Sequence, residues 1–450
     1  MAQSTVLMTE GSIPKQIVKF AFPVFLGNTF QQLYNTVDSL IVGNYVGDEA
    51  LAAVSTSGSF IFLMVGLLFG IFSGAGVVIA QYYGARDSKS VTRAIHTTVS
   101  LGVLAGLLVM FVGVVFSPQI LRLINTPENV LPLSTIYFRI YFSGSLFSVL
   151  YNAGAGIFQA VGDSRHPLYY LIVSSVVNVV LDYLFVAVFD FGIAGAAVAT
   201  IISQAVSCIL IMYKLITAED VYKVNIRDLR LHMDMVSSIL RVGIPSGIQN
   251  AVIGFANIVV QSNINTFKDV AMAGCGSYFK LEGFAFLPVT SFSLALTTFV
   301  GQNIGANRID RAKKGARFGI LACVICAEII GVILFIFSPQ MMGWFTDKSD
   351  VIAFGVKQAR TEALFYFVLS FSHAAAGVMR GAGKSFVPMV VMLLCWCVFR
   401  VSFLTIMLSI WHDIRIIFGT YPLTWTMSSI IFAIYLFSGK WLTRHQKEQI

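Results

Sequence analysis

Four residues in the first half of this 450-residue chain carry groups able to bind and release a small cation: Asp38, Asn178, Asp182 and Thr200. Each falls inside an apolar stretch, where an ionisable side chain is costly and is a functional suspect by default. Asp38 extends a polar stripe through Gln31, Tyr34 and Asn35, because these four positions share one helical face. Asn178 lies one turn before Asp182 on a similar face. Depth can be counted from the nearest loops. Asp38 is about five residues from Gly43, Asp182 about eight from Asp190, and Thr200 about eight from Gly192. At about 1.5 Å per residue, all lie roughly 8–12 Å below the same surface. The spacing therefore predicts one site built from three helices. Hard oxygens can replace the water shell of Na⁺, and a carboxylate sharing a dry site with another carboxylate can carry H⁺. Either guest makes the site neutral when loaded and charged when empty. The alternative role for the two aspartates is to hold helices together by hydrogen bonds.

The elements that position these residues follow from composition. Hydrophobic residues make up 57% of the chain and charged residues 12%, against about 25% charged in a soluble domain. A soluble fold of this length cannot hide so much apolar surface, so lipid is the solvent for most of it. Backbone in lipid satisfies its own hydrogen bonds, as helices or closed barrels. Continuous apolar runs rather than ten-residue alternation select helices. The spans fall roughly at 13–43, 49–80, 92–116, 132–158, 167–189, 193–216, 236–266, 271–300, 314–337, 352–379, 386–410 and 416–440. The fold class is an all-α integral membrane protein. Residues 1–216 form one six-helix lobe, 217–235 a linker and 236–450 a second lobe.

With the N-terminus inside, about 21 of the 30 Lys and Arg residues fall on inner segments, Arg444 and Lys447 among them. The positive-inside rule then places both termini and the linker in the cytoplasm of a cell-membrane protein. The net charge of +8 is thus explained by topology, and no nucleic acid partner is expected. The six cysteines all lie in apolar segments. The Cys323/Cys326 pair lacks a second pair or a His partner, so helix packing is its reading.

The chain also repeats itself. A shift of 221 residues aligns the halves without a gap from about Asp48 to Pro167. Gln81 falls on Gln302, Gly84-Ala85 on Gly305-Ala306, Ser117-Pro118-Gln119 on Ser338-Pro339-Gln340, and Gly162 on Gly383. Pro23 meets Pro245 with a one-residue slip. Six spans per half make the repeat parallel, a plan that suits rocking bundles and alternating access. The second half lacks the two aspartates: Asp38 falls opposite Val259 and Asp182 opposite Phe403. It has Lys280, Glu282 and Arg400 within spans instead, with Glu328 and Glu362 as further acids. A Glu282–Arg400 pair near the midplane is expected, as a structural ion pair or a substrate contact. Asn257 and Gln261 give the seventh span a polar face suited to a cleft.

Several of these segments resemble the multidrug and toxic compound extrusion (MATE) family. Pro23 followed by Gln32-Leu33-Tyr34-Asn35-Thr36-Val37-Asp38 and Gly43 is similar to its first helix. Gln81-Tyr82-Tyr83-Gly84-Ala85 and Gly301-Gln302-Asn303-Ile304-Gly305-Ala306 resemble its second and eighth helix endings. Gln159–Ser164 and Arg380–Ser385 resemble those of the fourth and tenth. The resemblance implies two six-helix lobes in a V-shaped fold, and export of organic cations in exchange for Na⁺ or H⁺. It is closest to the prokaryotic, DNA-damage-inducible (DinF-like) branch. There an aspartate on helix 1, an Asn and Asp on helix 5 and a Thr on helix 6 form the cation site, matching Asp38, Asn178, Asp182 and Thr200. Pro23 matches a proline associated with helix bending. The family's other bacterial branch places acids in the second lobe, on helices 7 and 10; here the seventh span has none and Glu362 sits early in the tenth.

The expected partners are small-molecule substrates and the lipid bilayer, with a monomer as the unit and no cofactor beyond the coupling ion. A lipid-linked oligosaccharide flippase is the alternative within transport. No His pair at metal spacing, no Asp-rich diphosphate motif and no Gly-rich phosphate loop is found, so neither an enzyme nor an ATP-driven pump is expected.

Overall fold

A computed structural model describes residues 7–124 and 126–442; Arg444, His445 and Lys447, and the side chain of Asp48, lie outside the described residues. The described chain is helical, without strands. The first half runs through α1 (Ile13–Tyr45), α2 (Asp48–Gly84), α3 (Ser88–Val115), the short α4 (Ser117–Leu123), α5 (Leu131–Ser143) and α6 (Ser145–Ala160). It ends with α7 (Arg165–Asp182), which continues as a π-helical turn over Tyr183–Val188, and α8 (Gly192–Ile216). The second half has α9 (Met233–Asn265), α10 (Lys268–Ala285), α11 (Leu287–Gly305), α12 (Ile309–Met342) and α13 (Ser349–Glu362). A 3₁₀ turn at Ala363–Phe365 leads into α14 (Tyr366–Gly381). Then come α15 (Phe386–Met392), a π-helical stretch Leu393–Phe399, α16 (Arg400–Ile410) and α17 (Ile414–Phe437).

These elements group into six spans per half, and the repeat read from sequence recurs in their boundaries. The α8 limits shifted by 221 residues meet those of α17 to within two residues. The fourth span bends by 48° between α5 and α6, at Gly144. Its counterpart breaks at the 3₁₀ turn, 221 residues on. Gly162 and Gly383, equivalent in the repeat, both adopt positive φ, at 86° and 77°, a conformation that favours glycine.

Among the described residues, ten helices are long and apolar enough to cross a membrane, or eleven with the bent α5–α6 pair as one span. Helix α1 falls short of that test. The cause is its own polar stripe, since Gln31, Gln32, Asn35 and Asp38 dilute the apolar residues around them. Outward faces are apolar: Leu108, Phe111, Val176, Val180, Ile209 and Ile434 are all exposed. A water-soluble protein would bury such residues; here lipid covers them.

The chain divides into two compact units, one containing Leu26–Gly243 and the other Leu7–Phe25 with Ile244–Ile450. Helices α1 and α9 therefore each pass from one unit to the other. Both cross within three residues of a proline, Pro23 and Pro245. In each unit the strand of chain ahead of the crossing helix is clamped. In the second unit Gln302 and Asn303, from the Gly301–Ala306 motif, bind the Met8 backbone, and Arg308 and Arg311 bind the carbonyls of Thr9 and Met8. In the first unit His96 accepts from the Asn225 amide, and Thr97 bonds to His232.

Candidate cation site in the first unit

Helices α1, α7 and α8 converge at one end of the first unit through a small apolar cluster. Val42 of α1, Val186 of the π-helical turn, and Ile193, Ala196 and Ala197 of α8 pack there with Tyr137 of α5. One helical turn deeper on each element come Asp38, Asp182 and Thr200. The layer that the loop counts indicated is thus built by apolar packing just beyond it.

The carboxylates of Asp38 and Asp182 are direct neighbours, and the Asn178 amide faces Asp182. Asp182 is 0% and Asn178 1% exposed. Five buried polar atoms of this group have no protein hydrogen-bond partner: Asp38 Oδ1, both Asp182 oxygens and both Asn178 amide atoms. Thr200 donates its hydroxyl proton to the Ala196 carbonyl at 3.0 Å, which leaves its oxygen lone pairs as acceptors. The helix changes pitch directly after Asp182, at Tyr183–Val188. Single π turns within α-helices occur mostly at functional sites, because they re-aim side chains and free backbone groups.

Two side chains that the sequence did not single out complete the surroundings. Tyr137 is buried within electrostatic range of both aspartates, and its ring stacks on Tyr141 at 6.2 Å. Gln204 of α8 lies beside Tyr141 in turn. Both tyrosines lie just before the bend at Gly144. Their signal was present in the spacing, since 137 and 141 are one turn apart, but without a charge it resembled ordinary aromatic packing.

The remaining expected residues divide. Tyr34 lies near Asp38, Asp182 and Gln31. The exposed Asn35 accepts at its backbone carbonyl from the Ser39 hydroxyl at 2.9 Å. Pro23 sits inside α1 as expected. Asn257 is exposed on α9, and Gln261 donates to Asn265 along the same helix at 2.9 Å. Lys280 is exposed, with Nζ 5.8 Å from the Phe345 ring. Glu282 and Arg400 do influence each other. They form no ion pair, however: Arg400 donates to Thr424 at 2.6 Å and lies over the Tyr421 and Trp396 rings. The expected pair is replaced by a larger cluster that includes Glu362. Glu328 has a plain structural role, accepting from the Phe367 amide at the start of α14 at 3.0 Å.

The family model described as MatE matches residues 23–184 and again 245–406, once in each half. This chain belongs to the MATE family. It is 31% identical over 435 residues to the probable multidrug resistance protein YpnP of Bacillus subtilis, covering 96% of this chain and 97% of that protein. It is 26% identical to the probable multidrug resistance protein NorM of Thermotoga maritima, over 84% of this chain and 82% of that protein. The multidrug export protein MepA of Staphylococcus aureus is 24% identical over 82% of this chain and 83% of its own. Among solved structures, a MOP superfamily transporter from Pyrococcus furiosus superposes with a TM-score of 0.90 at 22% identity, covering 97% of both chains. An outward-facing multidrug resistance MATE transporter gives the same values. At that identity the likeness shows a shared fold, the twelve-helix arrangement of MATE transporters. The chain is accordingly a multi-pass membrane protein of a transporter family.

Proposed function

We propose that this chain exports small, often cationic and lipophilic compounds from the cell in exchange for Na⁺ or H⁺, by alternating access. The observation that carries the coupling is the juxtaposition of Asp38 and Asp182 among five unpartnered buried polar atoms. Two adjacent carboxylates in an apolar bundle repel each other, and their desolvation is uncompensated. A proton or Na⁺ neutralises one charge and relieves both penalties. For Na⁺, the two carboxylates, Asn178 Oδ1 and Thr200 Oγ1 supply hard oxygens. For H⁺, the aspartates share the proton between them. Loading and unloading thus change the charge of one lobe at a point where α1 can respond, because Pro23 deprives it of a backbone hydrogen bond.

Export as the direction follows from the names of the relatives, which are multidrug resistance and export proteins. The set Asp38, Asn178, Asp182 and Thr200 supports membership of the DinF-like branch. Both termini are placed in the cytoplasm by the Lys and Arg asymmetry. Neither the family match nor the relatives favour the flippase alternative.

The test uses inside-out vesicles loaded with chain, an imposed Na⁺ or H⁺ gradient, and a fluorescent lipophilic cation. Wild type should move the dye under one of the gradients, and Asp38→Asn should insert normally but not move it. Gradient-driven movement that persists at the wild-type rate in Asp38→Asn refutes the coupling site. No movement under either gradient, by wild type, refutes the antiport reading.

A further inference from the structure

Arg380 stands in the last turn of α14, yet its guanidinium turns back into the bundle. Nη2 donates to Ser293 Oγ at 2.9 Å, and Nη1 reaches Gln249 Oε1 at 3.5 Å. Helical side chains lean toward the N-terminus of their helix, which sets this direction. At about 1.5 Å per residue, Ser293 lies roughly 18 Å from the Gly305 end of α11, and Gln249 roughly 24 Å from the Met233 start of α9. Both ends lie on the linker side of the membrane, so the guanidinium sits well inside the span. Arginines near helix ends usually extend toward water instead.

Neighbouring helices fix this position. Ser293 Oγ donates to the His373 carbonyl at 2.7 Å, which ties α11 to α14 at this level. Gln249 Nε2 donates to Met392 Sδ at 3.3 Å, which leaves the amide oxygen for Arg380. Glycines let the two helices meet: a Cβ at Gly377 would lie 2.4 Å from the Ser293 carbonyl oxygen, and one at Gly381 2.5 Å from that of Thr297. From Ser372 to Gly381 every residue except Arg380 is buried. The accessible part of Arg380 is therefore not on a helix face turned to lipid.

The charge is not balanced. Ser293 and Gln249 are neutral, and among the described residues Arg380 forms no ion pair. A cation so placed is costly and marks a functional site. Two of the five N–H groups of the guanidinium are engaged, and three remain for a ligand. Two turns back on the same face of α14, the buried His373 has an Nε2 atom without a protein partner. Its ring lies between Phe286, at 4.8 Å, and Trp396, at 5.4 Å. A planar fork, a second ring nitrogen and apolar walls match a carboxylate borne on an aromatic skeleton. A phosphate would bring more charge than one guanidinium balances. The 221-residue shift places Gln159 opposite Arg380 and Asn152 opposite His373. The unit with the two aspartates thus has no cation at this position.

We propose that Arg380 and His373 bind the carboxylate of aromatic compounds carried by this chain, with Ser293 and Gln249 positioning the guanidinium. The ligand class rests on the export reading, whereas the site itself is independent of the Asp38–Asp182 pair.

The test is dye binding to the purified full-length chain, read by fluorescence polarisation without any gradient. The two probes are a rhodamine with a free carboxylate and the methyl ester of the same dye. Arg380→Gln should weaken the acid about 10- to 100-fold and leave the ester within about 2-fold, as expected for a charge-assisted bond. Arg380→Lys should recover part of that loss, because the charge stays while the fork is lost. His373→Phe keeps a ring between Phe286 and Trp396 and should weaken the acid alone, by about 3- to 10-fold. It keeps the test decisive if Arg380→Gln fails to fold. Equal loss of both dyes, or no loss of either, makes these residues structural ties and overturns the site. Wild type that binds the ester but not the acid also overturns it and leaves the export reading standing. Wild type that binds neither dye overturns both.

Discussion

Arg400→Met removes the cation that faces Glu282 and Glu362 while keeping a flexible apolar side chain between Tyr421 and Trp396. Breaking a buried charge group by deleting one partner costs about 3–5 kcal/mol, because the other charges stay buried and uncompensated. Loss of two ring contacts and the Thr424 hydrogen bond overlaps with this cost rather than adding fully to it. For a unit of this size, about 2–4 °C of melting temperature corresponds to each kcal/mol, so the midpoint should fall by roughly 6–20 °C. Arg400→Lys keeps the charge but loses the planar stacking, and should cost only about 1–2 kcal/mol. The decisive comparison is the double variant Arg400→Met/Glu362→Gln, which removes one buried negative charge along with the cation. It should recover more than half of the loss. The assay is thermal unfolding in detergent, followed by tryptophan fluorescence. The reasoning fails if Arg400→Met melts within about 1 kcal/mol of wild type, or if Glu362→Gln deepens the loss instead of relieving it.

Gly331 of α12 lies against the 3₁₀ turn, where an added Cβ would meet the Ala363 carbonyl oxygen at 2.3 Å; Gly331→Ala should destabilise the second unit by about 1–3 kcal/mol in the same melting assay. Tyr137→Phe removes a buried hydroxyl within electrostatic range of both aspartates and should weaken cation binding about 2- to 10-fold, read by calorimetry, in line with about 0.5–1.5 kcal/mol for one polar group. The linker should loosen in acid. His96 Nε2 accepts from the Asn225 amide, and His232 Nε2 accepts from Arg230. Burial, then Arg93 and Arg230, lower the His232 pKa, with Asp234 opposing. A depressed histidine pKa favours the neutral form in the folded state, so its contribution is present above the ordinary value and lost as pH falls below it. The His232 imidazole should therefore titrate below the ordinary histidine value, read by NMR on the purified chain, and titration at or above that value would refute the clasp.

The layer of Asp38, Asp182 and Thr200 was legible because depth along a helix is a simple count. A rise fixed per residue converts distance from a loop into distance from a surface, and the π turn after Asp182 is too short to disturb it. The rotational position of a side chain has no such ruler. Lys280 and Glu282 are two residues apart on one helix, and only packing decides that Lys280 reaches Phe345 while Glu282 joins Glu362 and Arg400. The same limit hid Tyr137 and Tyr141, whose value depends on which helix lies opposite. Breaks were also invisible. Nothing in Thr361–Phe367 breaks a helix by propensity; the 3₁₀ turn is held by Gly331 beneath it and by Glu328 on the Phe367 amide. The repeat survived because the spans and their turns are conserved in register, even where the acids were exchanged between elements.

The central claim is that Asp38 and Asp182 form a single cation site. The most direct measurement is a double-mutant cycle on cation binding by the purified chain, followed as Na⁺ heat and as proton uptake. Asp38→Asn and Asp182→Asn should each abolish the same binding event, and the double variant should show no further loss. Two independent events, each removed by one substitution and additive in the double variant, would contradict it.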